Sequence, residues 1–192
     1  MADGQPSSQP APSEFYCLFA GLIDQQAVQR FHNAIAIAGG TGASHIHLLF
    51  QCSGGIVGDG ISLYNLFRVC PIDLTLYNVG SICSIGVIAF LGAMNRKISQ
   101  HATFMIHRAY VNPSMATSER LQAAADQMIM DDDRIETILK HHTQIPSEKW
   151  EMHKYSDVWI SSDDAIEWRF GEYGEFSPPV GTRLYNIWPP QN

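Results

Sequence analysis

Short runs of apolar residues alternate with longer stretches of helical periodicity along this chain. Three runs have the length and composition of buried strands, and a fourth alternates apolar and polar positions, as a half-buried strand does. The four predicted strands cover residues 15–20, 45–51, 72–79 and 103–107.

Helical periodicity begins directly after the first predicted strand. Asp24 is suited to cap the N-terminus of this helix, and the pair Gly39-Gly40 is suited to end it. Its apolar face comprises Val28, Phe31, Ile35 and Ala38. Three further helices are predicted over residues 59–69, 84–91 and 118–141. Because strands alternate with helices, we expect an α/β fold with a largely parallel sheet.

The longest predicted helix combines an apolar stripe with a run of acidic residues. The stripe consists of Leu121, Ala125, Met128, Ile135 and Leu139. The acidic run consists of Asp131, Asp132 and Asp133, and we expect these three side chains to be mostly solvated.

The first thirteen residues differ in composition from the rest of the chain. They are polar and rich in proline, serine and alanine, so we predict a flexible tail over residues 1–13 and one domain over residues 14–192. This segment has neither the basic stretch nor the apolar core of a signal peptide. Four scattered cysteines without a Cys-x-x-Cys pair make a disulfide framework improbable, so we expect a cytoplasmic protein.

Composition and charge restrict the partners. Charged residues make up 16% of the chain, against about 25% in a typical globular domain, which indicates that other subunits cover part of the surface. The net charge of −7 argues against nucleic acid or an anionic membrane as a partner. The most apolar run, residues 82–94, is shorter than the ~20 residues that span a membrane, so we interpret it as a buried helix.

A serine lies where a predicted strand passes into a predicted helix. The segment 78–86 reads Asn-Val-Gly-Ser-Ile-Cys-Ser-Ile-Gly, with Ser84 at the junction. A helix N-terminus leaves backbone N–H groups free, and its dipole favours negative charge. One turn could therefore supply both a nucleophile and a donor to an oxyanion hole. Serine is also a common helix cap, so the alternative is that Ser84 only caps this helix.

A second loop of interest follows the strand 45–51. It contains Ser53-Gly54-Gly55, and the glycines allow backbone N–H groups to approach a ligand closely. Such a turn by itself is weak evidence for an oxyanion hole.

Four segments in this order resemble the proteolytic subunit of Clp protease, the ClpP-like serine peptidases of family S14. The first two are the Ser-Gly-Gly turn and the Gly-Ser-Ile-Cys-Ser-Ile-Gly motif. The third is Phe-Met-Ile-His at residues 104–107, and the fourth is the acidic segment 157–165, with Tyr-Gly at 173–174. The resemblance implies an α/β fold of the ClpP/crotonase type, with repeated β-β-α units and a protruding handle helix.

The resemblance also implies roles for individual residues. Ser84 matches the nucleophile, His107 the general base and Asp157 the residue that orients the histidine. The backbone N–H groups of Gly55 and Ile85 match the oxyanion hole. The chain order serine, histidine, aspartate differs from the serine, aspartate, histidine order of nucleophile-elbow hydrolases.

The implied function is that of a serine endopeptidase that cleaves peptides or unfolded proteins inside an oligomeric chamber. The family forms rings, so we expect a heptamer or a tetradecamer, with an AAA+ unfoldase ATPase as a candidate partner. The short N-terminal segment departs from the pattern that docks the ATPase, and Ser156 stands where the family often has an arginine between rings. Two alternatives remain: a non-catalytic scaffold subunit and a crotonase-like acyl-CoA enzyme.

We predict neither a cofactor nor a metal site. His45 and His47 alternate on a predicted strand, but no carboxylate or thiol stands at ligand spacing beside them in the sequence.

Overall fold

The computed structural model describes residues 13–111 and 116–187. The predicted tail lies outside the described residues except for Ser13, which begins the first strand.

The described residues form one sheet of nine strands in the order β7-β6-β4-β2-β3-β5-β8, with β1 beside β2 and β9 beside β1. All pairs are parallel except β6 with β7. The strands are β1 Ser13–Ile23, β2 Ala43–Gly55, β3 Asp73–Asn78, β4 Ser81–Cys83, β5 Asn95–Ile98, β6 Thr103–Ile106, β7 Val158–Ile160, β8 Glu172–Tyr173 and β9 Tyr185–Asn186. The predicted α/β class and the largely parallel sheet are confirmed.

Six helices connect these strands within the described ranges. They are α1 Gln25–Gly40, α2 Val57–Arg68, α3 Ile85–Leu91, α4 Ser118–His142, α5 Ser147–His153 and α6 Ser162–Glu167. The four helices expected from the apolar periodicity are present, and Asp24 caps α1 by accepting a hydrogen bond from the Ala27 N–H at 2.8 Å. None of the described helices is long and apolar enough to cross a membrane.

The end of α1 differs from the prediction. Gly39 and Gly40 belong to the helix, Thr41 caps it, and Gly42 has a φ of 74°. The chain therefore turns two residues later than the glycine pair suggested, because Gly42 adopts the left-handed conformation that ends helices.

The core lies between the sheet and the helices α1, α2 and α3. Aromatic rings fill its centre, with Phe31 of α1 packing against Phe19, Phe50 and Phe67. Every residue of α3 is buried, as expected for the apolar run. This packing holds α3, and with it the β4–α3 junction, rigidly against the sheet.

Helix α4 has two halves with different surroundings. Its C-terminal half buries Ile135 and Leu139 against the body of the domain. Its N-terminal half leaves apolar side chains in solvent, with Leu121 exposed by 45%, Ile129 by 58% and Met130 by 55%. The N-terminal half therefore protrudes as the expected handle helix.

The prediction that all three aspartates of α4 are mostly solvated is wrong. Asp131 and Asp132 are buried, and only Asp133 is exposed. The reason is helical geometry. Ile135 and Leu139 follow Asp132 by three and seven residues, so the three side chains share the helix face that packs on the domain.

Candidate active site

Ser84 has an unusual backbone conformation at the junction of β4 and α3. Its φ is 56° and its ψ is −131°, a backbone region that residues other than glycine rarely adopt. Its hydroxyl makes no capping hydrogen bond to the helix. The structure therefore contradicts the alternative that Ser84 serves as an ordinary helix cap, which would have an extended backbone and a bonded side chain.

The backbone around Ser84 is held from β6. The Ser84 N–H donates to the carbonyl of Met105 at 2.7 Å, which continues the pairing of Cys83 with Met105. Strained backbone persists only where the surroundings determine it, and it is common at active sites. The strain at Ser84 is thus an observation that points to function.

The Ser-Gly-Gly turn lies directly against Ser84. A β-carbon on Gly54 would lie 3.1 Å from the Ser84 Cβ and 3.5 Å from its Oγ. Gly55 has a φ of 152°, and a β-carbon there would lie 2.0 Å from the carbonyl oxygen of Ile23. Gly54 needs glycine because a side chain would press on Ser84, and Gly55 needs glycine because a side chain would overlap the backbone of Ile23.

The two expected oxyanion donors belong to the two segments that adjoin this serine, the Ser-Gly-Gly turn and the start of α3. Gly55 ends β2, and Ile85 is the first residue of α3. The N–H groups in the first turn of a helix have no partner within the helix, and the helix dipole makes this end attractive to negative charge. This surrounding suits a developing oxyanion beside the Ser84 hydroxyl.

His107 and Asp157 lie at adjoining strand ends. His107 follows β6 and Asp157 precedes β7, and these strands pair antiparallel with Ile106 opposite Val158. Both residues line a cleft of about 270 Å³. Since β6 also pairs with β4, the topology places the three predicted catalytic residues at one end of three neighbouring strands.

No direct hydrogen bond links the described side chains of Ser84, His107 and Asp157. His107 is half-buried with its ring 5.5 Å from that of Tyr110, and Asp157 is exposed. Catalytic hydrogen bonds are often long or misaligned without substrate and shorten only in the complex.

Asp132 is a residue of this site that the sequence reading missed. Its carboxylate accepts hydrogen bonds at 2.8 Å from the Arg108 Nε and from the backbone N–H of Ala109. A second Arg108 nitrogen lies 2.6 Å from the same carboxylate. Asp132 therefore anchors the two residues that follow His107. The helical spacing of Asp132 from Ile135 and Leu139 was the sequence signal that could have indicated its burial.

His153 is a second missed residue. It lines the cleft with His107 and Asp157, is 2% exposed, and neither ring nitrogen has a hydrogen-bond partner of normal geometry. Burial lowers the pKa of His153, while Glu136 and the nearby backbone of His107 oppose that shift. Burial therefore favours the neutral form of this imidazole at the wall of the cleft.

Comparisons with known proteins give the family of this chain. A model of the Clp protease family matches residues 14–171. The chain is 23% identical over 164 residues to an ATP-dependent Clp protease proteolytic subunit of Paracoccus denitrificans, covering 84% of this chain and 82% of the relative.

A solved structure shows the same fold. The chain superimposes on a mutant of ClpP1 from Listeria monocytogenes with a TM-score of 0.72 and 19% identity, over 84% of this chain and 91% of that one. The fold is therefore of the ClpP/crotonase type. Because the family model covers most of the sequence, this chain belongs to the Clp protease family.

Proposed function

We propose that this chain is a serine endopeptidase that cleaves peptides or unfolded proteins with Ser84 as nucleophile. The observation that carries the proposal is the strained backbone of Ser84, held against the Gly54-Gly55 turn with no capping bond on its hydroxyl. A hydroxyl kept free of local hydrogen bonds, beside backbone N–H groups, meets the needs of an acyl-transfer nucleophile.

The proposed mechanism assigns one task to each residue. His107 takes the proton of Ser84 as the hydroxyl attacks the scissile carbonyl, and returns it to the leaving amine. Asp157 holds the imidazole in the correct tautomer. The N–H groups of Gly55 and Ile85 stabilise the oxyanion, where loss of one donor typically costs about 10²–10³ in rate.

Assembly belongs to the same proposal. The protruding half of α4 leaves Leu121, Ile129 and Met130 about half exposed, and each of these side chains would gain about 1 kcal/mol on full burial. We expect these residues to be covered by other copies of the chain in a ring of seven, single or doubled. The relative from Paracoccus denitrificans is named as ATP-dependent, which makes an AAA+ unfoldase a candidate partner.

A fluorophosphonate probe tests the proposal. Labelling of one serine per chain, read by intact mass, is expected in the parent and absent in Ser84→Ala. Ser81→Ala, which changes a serine of the adjoining strand β4, is the matched control and is expected to be labelled normally. The rate of peptide cleavage should fall by about 10⁴-fold or more in Ser84→Ala and stay unchanged in Ser81→Ala.

The two alternative functions give different results in the same experiment. A scaffold subunit would assemble but remain unlabelled and inactive. A crotonase-like enzyme would bind an acyl-CoA thioester without covalent labelling of Ser84. Either result would overturn the peptidase proposal.

A further inference from the structure

One group of three metal-ligand side chains stands out among the described residues, far from Ser84. Glu14 on β1 and His45 and His47 on β2 each offer one donor atom, and these three atoms lie within 4.8 Å of one another. The prediction of no metal site rested on the lack of a carboxylate near the histidines in the sequence. Strand pairing supplies one, because Glu14 lies beside His45 in the parallel register of β1 and β2.

We infer that Glu14, His45 and His47 form a binding site for a divalent transition-metal ion of the zinc class. Two imidazole nitrogens and one carboxylate oxygen are a donor set that zinc uses in proteins, with a fourth position for water. Calcium and magnesium are poor candidates, because they prefer oxygen donors throughout.

Neighbouring hydroxyl groups orient the two imidazole rings. The Nδ1 of His47 lies 2.8 Å from the Tyr77 hydroxyl, and its Nε2 contacts the Glu14 carboxylate. The Nε2 of His45 lies 2.8 Å from the Thr75 hydroxyl. A ligand histidine usually bonds through its second nitrogen in this way, which sets the tautomer and the ring orientation.

Stacking of aromatic rings restricts His47 further. Its ring lies between Tyr16, at 4.6 Å, and His45, at 4.2 Å, and both pairs are close to parallel. The stack limits the rotamers of His47 in the metal-free chain. Because nitrogen lone pairs lie in the ring planes, one of the two histidine rings must tilt out of the stack when both bind the same ion.

Metal binding requires a small rearrangement. An ion about 2.1 Å from each donor needs donors about 3.4 Å apart in a tetrahedral site. The His47 Nε2 and the Glu14 carboxylate oxygen, which are in contact, must therefore move apart, while the other donor pairs must approach by up to about 1 Å. In the bound state the ion lies between the His47 Nε2 and the Glu14 carboxylate, which contact each other in the metal-free chain. With 40% of the Glu14 side chain exposed, the site is open to ions from solution.

The site is independent of the proposed peptidase function. Gly54 lies nine positions after His45 in β2, which is about 30 Å along a strand. A bound ion would join β1 to β2 near the beginning of both strands. We therefore expect an effect on stability rather than on the chemistry at Ser84.

The inference is tested on the purified, untagged full chain after a chelator has removed any bound metal. Calorimetry measures zinc binding, and metal analysis gives the number of ions per chain. We expect one zinc ion per chain with a Kd of about 1 μM or lower. Glu14→Gln and His45→Asn each remove one donor and should weaken binding at least about tenfold. Tyr77→Phe retains all three ligands but removes the partner of His47, and should weaken binding by about 10–100-fold.

His32→Asn is the matched control, because His32 is an exposed histidine on α1 outside the cluster. It should bind zinc like the parent, and zinc at a concentration near the parent Kd should raise the Tm of both proteins more than that of Glu14→Gln. Far-UV circular dichroism of the metal-free variants checks that each one folds. Weaker parent binding than stated, or full affinity in Glu14→Gln and His45→Asn, would overturn the site, whatever the result of the labelling at Ser84.

Discussion

The carboxylate of Asp132 accepts a hydrogen bond from the backbone N–H of Ala109 at 2.8 Å. This contact joins the middle of α4 to the segment after β6, two residues beyond His107. The same carboxylate holds Arg108. The position of the proposed general base therefore depends on a helix whose other half protrudes as the handle.

Replacing Asp132 should reduce catalysis without removing a catalytic group. Asp132→Asn keeps an oxygen for the Ala109 N–H but loses the charge-assisted contact with Arg108. We expect kcat for peptide cleavage to fall about tenfold with little change in KM, because a misplaced base slows proton transfer. Asp133→Asn, at the exposed neighbouring position, should keep the parent kcat. Equal kcat values in the two variants would contradict a positioning role.

Relief of the strained backbone at Ser84 should raise stability while activity is lost. Glycine adopts a φ of 56° without a steric penalty, whereas alanine at this position keeps the same backbone strain as serine. Strain of about 1–3 kcal/mol, less the greater unfolded-state entropy of glycine, leaves about 1 kcal/mol in favour of glycine. Thermal unfolding should therefore give Ser84→Gly a higher Tm than Ser84→Ala. The reverse order would show that the surroundings do not strain this residue.

Substitution of Gly55 should damage the fold, whereas that of Gly58 should not. A methyl group on Gly55 would meet the Ile23 carbonyl at 2.0 Å, and one on Gly58 would meet nothing within 4 Å. We expect Gly55→Ala to be destabilised by several kcal/mol or to fail to fold. Gly58→Ala, in helix α2, should be neutral or up to about 1 kcal/mol more stable. Urea unfolding of both variants measures the difference.

Acid should destabilise the protein through two histidines with lowered pKa values. Burial lowers the pKa of His142 to about 4, with a further contribution from Arg96, and burial also lowers that of His153. The unfolded chain then binds protons more tightly than the folded chain. The contribution of these histidines to the free energy of unfolding is fully present above about pH 6.5 and is lost as the pH falls toward 4.

A variant isolates the contribution of His142. The His142 ring bonds to the Tyr64 hydroxyl at 2.9 Å, and His142→Gln retains a hydrogen-bonding group there without a charge that titrates. We expect the Tm of His142→Gln to fall less than that of the parent between pH 6.5 and 4. His141→Gln, at the exposed neighbouring residue, should follow the parent curve. Parallel curves for all three proteins would exclude His142 as a source of acid sensitivity.

The protruding half of α4 offers a direct test of assembly. Ile129→Glu combined with Met130→Glu places charges on two exposed side chains, so the isolated subunit should keep its fold. We expect sedimentation velocity to show smaller species than the parent, with reduced peptidase activity. Gln127→Glu, on the same exposed segment, is the control for added charge. A parent that is monomeric and fully active would contradict the ring.

The sequence by itself determined the order and type of the main elements around the site. Residue periodicity within one strand or helix is a local property, so the strands around residues 15–20, 45–51 and 103–107 and the long helix α4 could be predicted from it. The junction at Ser84 was visible for the same reason, since a strand passes into a helix there. The family resemblance added the candidate roles of His107 and Asp157.

Only the tertiary structure decided which distant side chains meet. Glu14 reaches the two histidines because β1 pairs with β2, and Asp132 is buried because one face of α4 packs beside the segment after β6. The strain at Ser84 depends on the Gly54 turn and on Met105, which belong to two other strands. Strand register and helix packing follow from the burial of the whole core, so a local pattern of residues does not contain them.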